Sequence, residues 1–136
     1  MLQIFQQAQK HSTRTAIISN GKHYTYENVL DESTAFASVL LGNALDLAES
    51  RIAFMVESSF EYVKVQWAVW KAGGVAVPLC TTHPLPSLQY VVEDTGAEII
   101  IVSPQFEAIL QSLAQEKGIR FIVLGQKTKS QPVDLP

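Results

Sequence analysis

The chain has 136 residues, of which 47% are hydrophobic and 17% charged, and a formal net charge of -3. That length and apolar content suffice for one compact domain burying roughly two thirds of its unfolded surface. Scattered basic residues in a slight acidic excess exclude the electrostatic footprint of a nucleic-acid binder.

The single cysteine, Cys80, cannot form an internal disulfide, and the opening MLQIFQQAQK has neither the basic nor the apolar region of a signal peptide. No apolar run approaches the ~18 residues that a membrane-spanning helix needs. A cytoplasmic protein without a membrane span is the expectation.

In AIISNGKHYTY, Asn20-Gly21 sits between two strand-like runs and predicts a tight antiparallel hairpin, because both turn positions must accept positive φ. Thr25 is placed to cap the next helix, whose apolar stripe is Val29, Phe36 and Leu40 with Leu30, Ala37 and Leu41 beside it, ending near Gly42. Strand and helix then alternate: RIAFMVE, a helix from Ser58 to Ala72, VAVPLC, a helix from Pro86 to Thr95, EIIIV, a helix from Pro104 to Lys117, and RFIVLG. The fold class is α/β: an N-terminal β-hairpin followed by alternating strands and helices that form a mainly parallel sheet. Ser58 and Glu61 have capping-box spacing, Ser103-Pro104 reads as a cap followed by a first helical residue, and Gly118 as a left-handed stop. Residues 1–125 form one folded part, and the tail from 126 to 136, with two prolines and no periodicity, reads as a polar linker to something further.

Trp70–Cys80, WKAGGVAVPLC, raises the question of a phosphate-binding glycine loop. Such loops lead from a strand into a helix N-terminus, where free N–H groups face the anion. Gly73 and Gly74 follow a helix and precede a strand, so the nearest free groups are carbonyls, which repel phosphate. They read instead as the turn that stops the helix, with Gly73 in the left-handed position. The helix before them carries Phe60, Val63, Trp67 and Trp70 on one side and Val65, Ala68, Val69 and Ala72 on the other, so both of its sides are expected to be covered.

No complete catalytic constellation occurs. Asp31-Glu32 and Glu93-Asp94 are adjacent on helices and point in different directions. Cys80 and His83 have ligand-like spacing but no second pair to complete a metal site, and His11 and His23 stand apart. Neither a G-x-S-x-G elbow nor a G-x-x-x-x-G-K-[ST] loop is present. A free-standing α/β binding or signalling module is the rival reading. A phosphate-accepting receiver needs an aspartate at the end of a central strand, and the residues leaving the strands are Glu57, Cys80, Ser103 and Gly125.

RTAIISNGKHYTYENV, RIAFMVESSFEYVKVQWAVWKAGGVAVPL and HPLPSLQYVVEDTGAEIIIVS together resemble the N-terminal part of the adenylate-forming synthetases, in particular the acyl-CoA synthetases. GGVAVPL followed by HP and LQYVVED is most similar to malonyl-CoA and methylmalonyl-CoA synthetases. Two departures stand out: the Gly-Asp pair that usually precedes the third strand is Glu49-Ser50, and the small polar residues usual after it are Glu57-Ser58-Ser59. The resemblance implies an intact enzyme that uses ATP, Mg²⁺ and CoA to turn a small carboxylic acid into its thioester through an acyl-adenylate. It also implies that the triphosphate loop, the ribose-binding aspartate and the catalytic lysine lie in further domains of the same synthetase, beyond residue 136. This chain alone is then expected to be inactive, to bind those ligands without tightness, and to self-associate as a dimer or a larger species through a strand edge or apolar face that its missing domains would cover. Within the chain the expected ligand-side segment is Cys80, Thr81, Thr82 and His83, because open parallel sheets bind ligands beyond the carboxyl ends of their strands.

Overall fold

The computed structural model describes residues 2–125, so the tail read as a linker, 126–136, lies outside the described residues. The elements are α1 (Gln3–Lys10), β1 (Thr15–Ser19), β2 (Lys22–Thr25), α2 (Tyr26–Leu41), β3 (Arg51–Met55), α3 (Phe60–Lys71), β4 (Val75–Pro78), α4 (Leu85–Thr95), β5 (Ile99–Val102), α5 (Glu107–Lys117) and β6 (Arg120–Val123). They fall into two compact units, each built from two stretches of chain: Met1–Glu49 with Ser58–Val75, and Ser50–Glu57 with Ala76 onward.

The first unit holds the hairpin and helices α1 to α3. Asn20 and Gly21 both have positive φ, 54° and 77°, as the two-residue turn requires, and β1 pairs antiparallel with β2. Thr25 caps α2 as expected: the Asn28 N–H donates to its Oγ1 at 3.1 Å, and Asn28 Oδ1 accepts from the Thr25 N–H at 2.8 Å. Phe5, Ala8, Val29, Phe60 and Trp67 make the core, with the Phe5 ring edge-on to Trp67 at 5.3 Å and Tyr24 stacked on Phe60 at 4.0 Å.

Two sequence readings change here. Helix α1 is an addition: Ile4, Phe5 and Ala8 share one helical stripe, but the helix is only 8 residues long and has no side-chain cap, so no start signal announces it. The Ser58 and Glu61 capping box does not form. Ser59 is the N-cap, without a side-chain cap bond, and Glu61 pairs with Lys64 at 2.8 Å. With the helix starting at Phe60, Glu61 is its second residue, one short of the position from which a carboxylate reaches back to the cap.

In the second unit the sheet order is β4-β3-β5-β6, with β3 parallel to β5 and β5 parallel to β6. Every residue from Ile52 to Met55 and from Ile99 to Val102 is buried, the continuous apolar run expected of parallel strands. One face of this sheet, with Ala53, Met55, Ile100 and Val102, packs in a core with Leu88 and Val92 of α4 and Leu110, Leu113 and Ala114 of α5. Helix α4 begins one residue before Pro86. Pro104 starts a 3-10 turn, Pro104–Phe106, that leads into α5, and the Ser103 side chain makes no cap bond there.

Helix α3 ends as the two glycines predict. Gly73 N–H donates to Trp70 O at 3.1 Å and Gly74 N–H to Val69 O at 2.9 Å, the paired bonds of a Schellman stop, with Gly73 at φ 87°. The loop after α2 closes over this end: Leu47 N–H donates to Ala72 O and Glu49 N–H to Gly73 O, both at 2.8 Å. Asp46 accepts from the Ala48 N–H at 2.7 Å, and a Cβ added at Gly73 would stand 2.1 Å from Asp46 Oδ1. Holding the loop there puts Ala48 and Glu49 at φ 52° and 67°, in the left-handed region although neither is glycine. Lys71, two residues before Gly73, donates to Leu30 O at 2.9 Å and Thr34 Oγ1 at 2.8 Å and lies 5.1 Å from the Phe5 ring centre. Burial holds its pKa below the usual lysine value, against the opposing pull of Asp31.

Gly73→Ala is expected to cost on the order of 2–4 kcal/mol, from the left-handed strain of about 1–2 kcal/mol plus displacement of Asp46 from its hydrogen bond. Gly118→Ala, where nothing lies within 4 Å of an added Cβ, should cost only the strain, and urea denaturation of both variants separates the two. Ala48→Gly should stabilise the chain by roughly 0.5–1 kcal/mol by relieving the positive φ, net of the entropy a glycine loses. Because the Lys71 pKa is lowered on folding, the unfolded chain binds more protons between that lowered value and the ordinary lysine pKa, so stability rises with pH across this window. Urea titrations from pH 7 to pH 10.5 should therefore show the wild type gaining on Lys71→Met only as alkaline pH is reached.

Candidate functional site

The parallel register sets the carboxyl ends of the strands side by side. Past each strand's end one more backbone bond continues the ladder: Leu79 N–H to Phe54 O at 2.8 Å, Ser103 N–H to Met55 O at 3.0 Å, and Leu124 N–H to Val102 O at 2.9 Å. The residues that leave this edge are therefore Cys80, Glu57, Ser103 and Gly125, with β3 and β5 at the centre of the sheet.

Cys80, Thr81, Thr82 and His83 are all exposed at the end of β4. They form a turn, with the His83 N–H donating to Cys80 O at 3.2 Å and Cys80 Sγ lying 3.2 Å from Thr82 Oγ1. Hydrogen bonds from Thr82 hold the Cys80 thiol below its usual pKa, with a smaller contribution from the His83 backbone. This raises the thiolate fraction of an already accessible sulfur. The turn presents two hydroxyls, a thiol and an imidazole at one strand end, all of them groups that can hydrogen-bond.

One contact on this edge was not legible in the sequence. Gln105 Nε2 donates to Glu57 Oε1, tying the exit of β3 to the 3-10 turn that follows β5. The two residues are 48 positions apart, and only the parallel pairing of β3 with β5 brings them together. Among the described residues no group of three or more His, Cys, Asp or Glu could hold a metal ion.

The residues present do not fit a nucleotide triphosphate at the glycines. Gly73 and Gly74 close a helix C-terminus, their neighbouring carbonyls are occupied by Leu47 and Glu49, and the space beside Gly73 already holds the Asp46 carboxylate. No helix of the described chain is long and apolar enough to cross a membrane.

The family model described as AMP-binding enzyme matches residues 4–134. The mitochondrial malonate–CoA ligase ACSF3 of Xenopus laevis is 31% identical over 136 residues, covering 97% of this chain and 24% of that protein. The nonribosomal peptide synthetase inpB of Emericella nidulans is 35% identical over 107 residues, covering 75% of this chain and 5% of that protein. Among solved structures, the anthranilate CoA ligase AuaEII in complex with anthranoyl-AMP superposes with a TM-score of 0.81 at 20% identity, over 91% of this chain and 24% of that one, a likeness of fold. The chain thus spans about a quarter of the malonate–CoA ligase it matches. A family match over almost the whole length, on a hairpin and parallel sheet with this order of elements, establishes that the chain belongs to the AMP-binding enzyme family.

Proposed function

We propose that this chain is the N-terminal portion of an ATP-dependent, AMP-forming acyl-CoA synthetase. The observation that carries the reading is the 31% identity over 97% of the chain to a protein named as a malonate–CoA ligase. In the reaction, an oxygen of the substrate carboxylate attacks the α-phosphorus of ATP, giving acyl-adenylate and pyrophosphate. The CoA thiolate then attacks the acyl carbon, and AMP leaves. The described residues offer no glycine loop running from a strand into a helix N-terminus, so the donors and the cation that this chemistry needs at the leaving pyrophosphate fall to the remaining domains. Those domains are the chain's principal partner, and in their absence the surface they cover is the one through which the chain would pair with a second copy.

The part assigned to this chain is to carry the ligand-side loop. Cys80, Thr81, Thr82 and His83 leave the carboxyl end of β4, where an open parallel sheet receives ligands, and the Glu57–Gln105 contact fixes the neighbouring strand exits against each other. Malonate-like acids are the first substrate class and fatty acids the second. The exposed free thiol of Cys80 suits a reducing compartment. The proposal keeps the cytoplasm, although the Xenopus relative is named as mitochondrial.

CoA thioester formation by the longer protein, measured across short dicarboxylic acids, fatty acids and amino acids, tests the reading. Malonate-like acids should give the highest kcat/KM, and the double variant Thr82→Val/His83→Ala should raise the KM of one ligand by about threefold or more with kcat held. Robust activation of amino acids with transfer to a carrier protein, the behaviour expected of a peptide synthetase, would overturn it.

A further inference from the structure

The parallel sheet ends in β4 on one side and in β6 on the other, and the two edges are built differently. At β4 the Leu79 N–H turns inward to Phe54 O, and because the backbone groups of successive strand residues alternate sides, those of Ala76 and Pro78 turn outward. Proline has no N–H to offer there, so this edge is blunted. At β6 the Arg120 N–H donates to Glu98 O at 3.3 Å and the Leu124 N–H to Val102 O at 2.9 Å. The same alternation turns the N–H and C=O of Phe121 and Val123 to the outer side. Among the described residues no further strand pairs there.

The side chains of this edge are as unguarded as its backbone. Phe121, Ile122 and Val123 are apolar and half-buried, and Phe121 and Val123 pack against the core formed with α4 and α5. No proline or lysine interrupts them, although these are the residues by which exposed edges avoid pairing.

A second copy fits the edge by symmetry. In an antiparallel pairing about a two-fold axis at Ile122, Phe121 opposes the partner's Val123 and Val123 opposes the partner's Phe121, so each pair exchanges both of its N–H···O bonds. Ile122 meets the partner's Ile122 on the axis, where opposed side chains come closest. Arg120 falls opposite the partner's Leu124, so no like charges face each other. We propose that the chain forms a two-fold dimer in which β6 pairs antiparallel with β6 of a second copy, making one continuous sheet from two. This gives a surface to the self-pairing of the proposed function, and its geometry does not depend on the acyl chemistry. Two short strands joined edge to edge bury less than the ~1,600 Å² of a standard interface, so the dimer is weak.

Sedimentation equilibrium of the chain from about 5 µM to 1 mM, with amide hydrogen exchange at both ends of that range, tests the pairing. A reversible monomer–dimer equilibrium with half-dissociation at roughly 20–500 µM is expected. Exchange at Phe121 and Val123 should slow by about threefold at the high concentration, with Ile122, whose N–H faces β5, unchanged. Val123→Pro removes an outward N–H that the sheet does not use, and should weaken the dimer at least about tenfold while Ile100 and Val102 keep their slow exchange. Ile122→Lys sets like charges on the axis and should also dissociate it, and mixing that variant with Ile122→Glu should restore a dimer of the two. A chain that stays monomeric at the highest concentration, association without slowed exchange at Phe121 and Val123, or a folded Val123→Pro that dimerises as the wild type does would overturn the pairing. Growth beyond the dimer would overturn the closed two-fold arrangement.

Discussion

The sheet is built on one repeated constraint, the left-handed residue that stops each crossover helix and hands the chain to the next strand. Gly73, Gly96 and Gly118 all have positive φ, and each begins the passage to β4, β5 or β6. The same pair of backbone bonds recurs each time: at Gly96 and Ala97 to Glu93 and Val92, and at Gly118 and Ile119 to Gln115 and Ala114. Two carbonyls that a helix end leaves unpaired are satisfied while the chain reverses, so three strands can enter the sheet in the same direction. The first of the three is the most tightly specified, since the Asp46 carboxylate occupies the space a side chain at Gly73 would need.

That first stop also explains a local tension. Leu47 and Glu49 satisfy the last carbonyls of α3 only if the loop between α2 and β3 lies close against them, and this carries Ala48 and Glu49 into positive φ.

Most of the fold was legible because its signals are local. Asn20-Gly21, the Thr25 cap and the terminating glycines each act within a few residues, and the alternation of apolar strands with helices carries the parallel topology. What was hidden is either weak or distant. Helix α1 is short and has no cap, and α3 starts at Phe60, which stacks on Tyr24, with Ser59 rather than Ser58 at its N-cap. Lys71 reaching Leu30 O across 41 residues and Gln105 reaching Glu57 across 48 are products of tertiary structure alone. At the candidate site, the strand-end position of Cys80 to His83 could be read from the order of elements. The hydrogen bonds within that turn, and the tie between the neighbouring strand exits, needed the coordinates.

The proposed function separates scaffold from chemistry: in it this chain supplies the sheet and a strand-end loop, and the groups that activate a carboxylate with ATP are assigned outside the described residues. Carboxylate-dependent exchange of labelled pyrophosphate into ATP by the purified 136-residue chain, with malonate and a fatty acid as substrates, tests that separation most directly. The account predicts no exchange above the no-enzyme background. Exchange that requires the carboxylate and scales with chain concentration would contradict it, because the described residues would then have to contain a triphosphate site that their geometry does not provide.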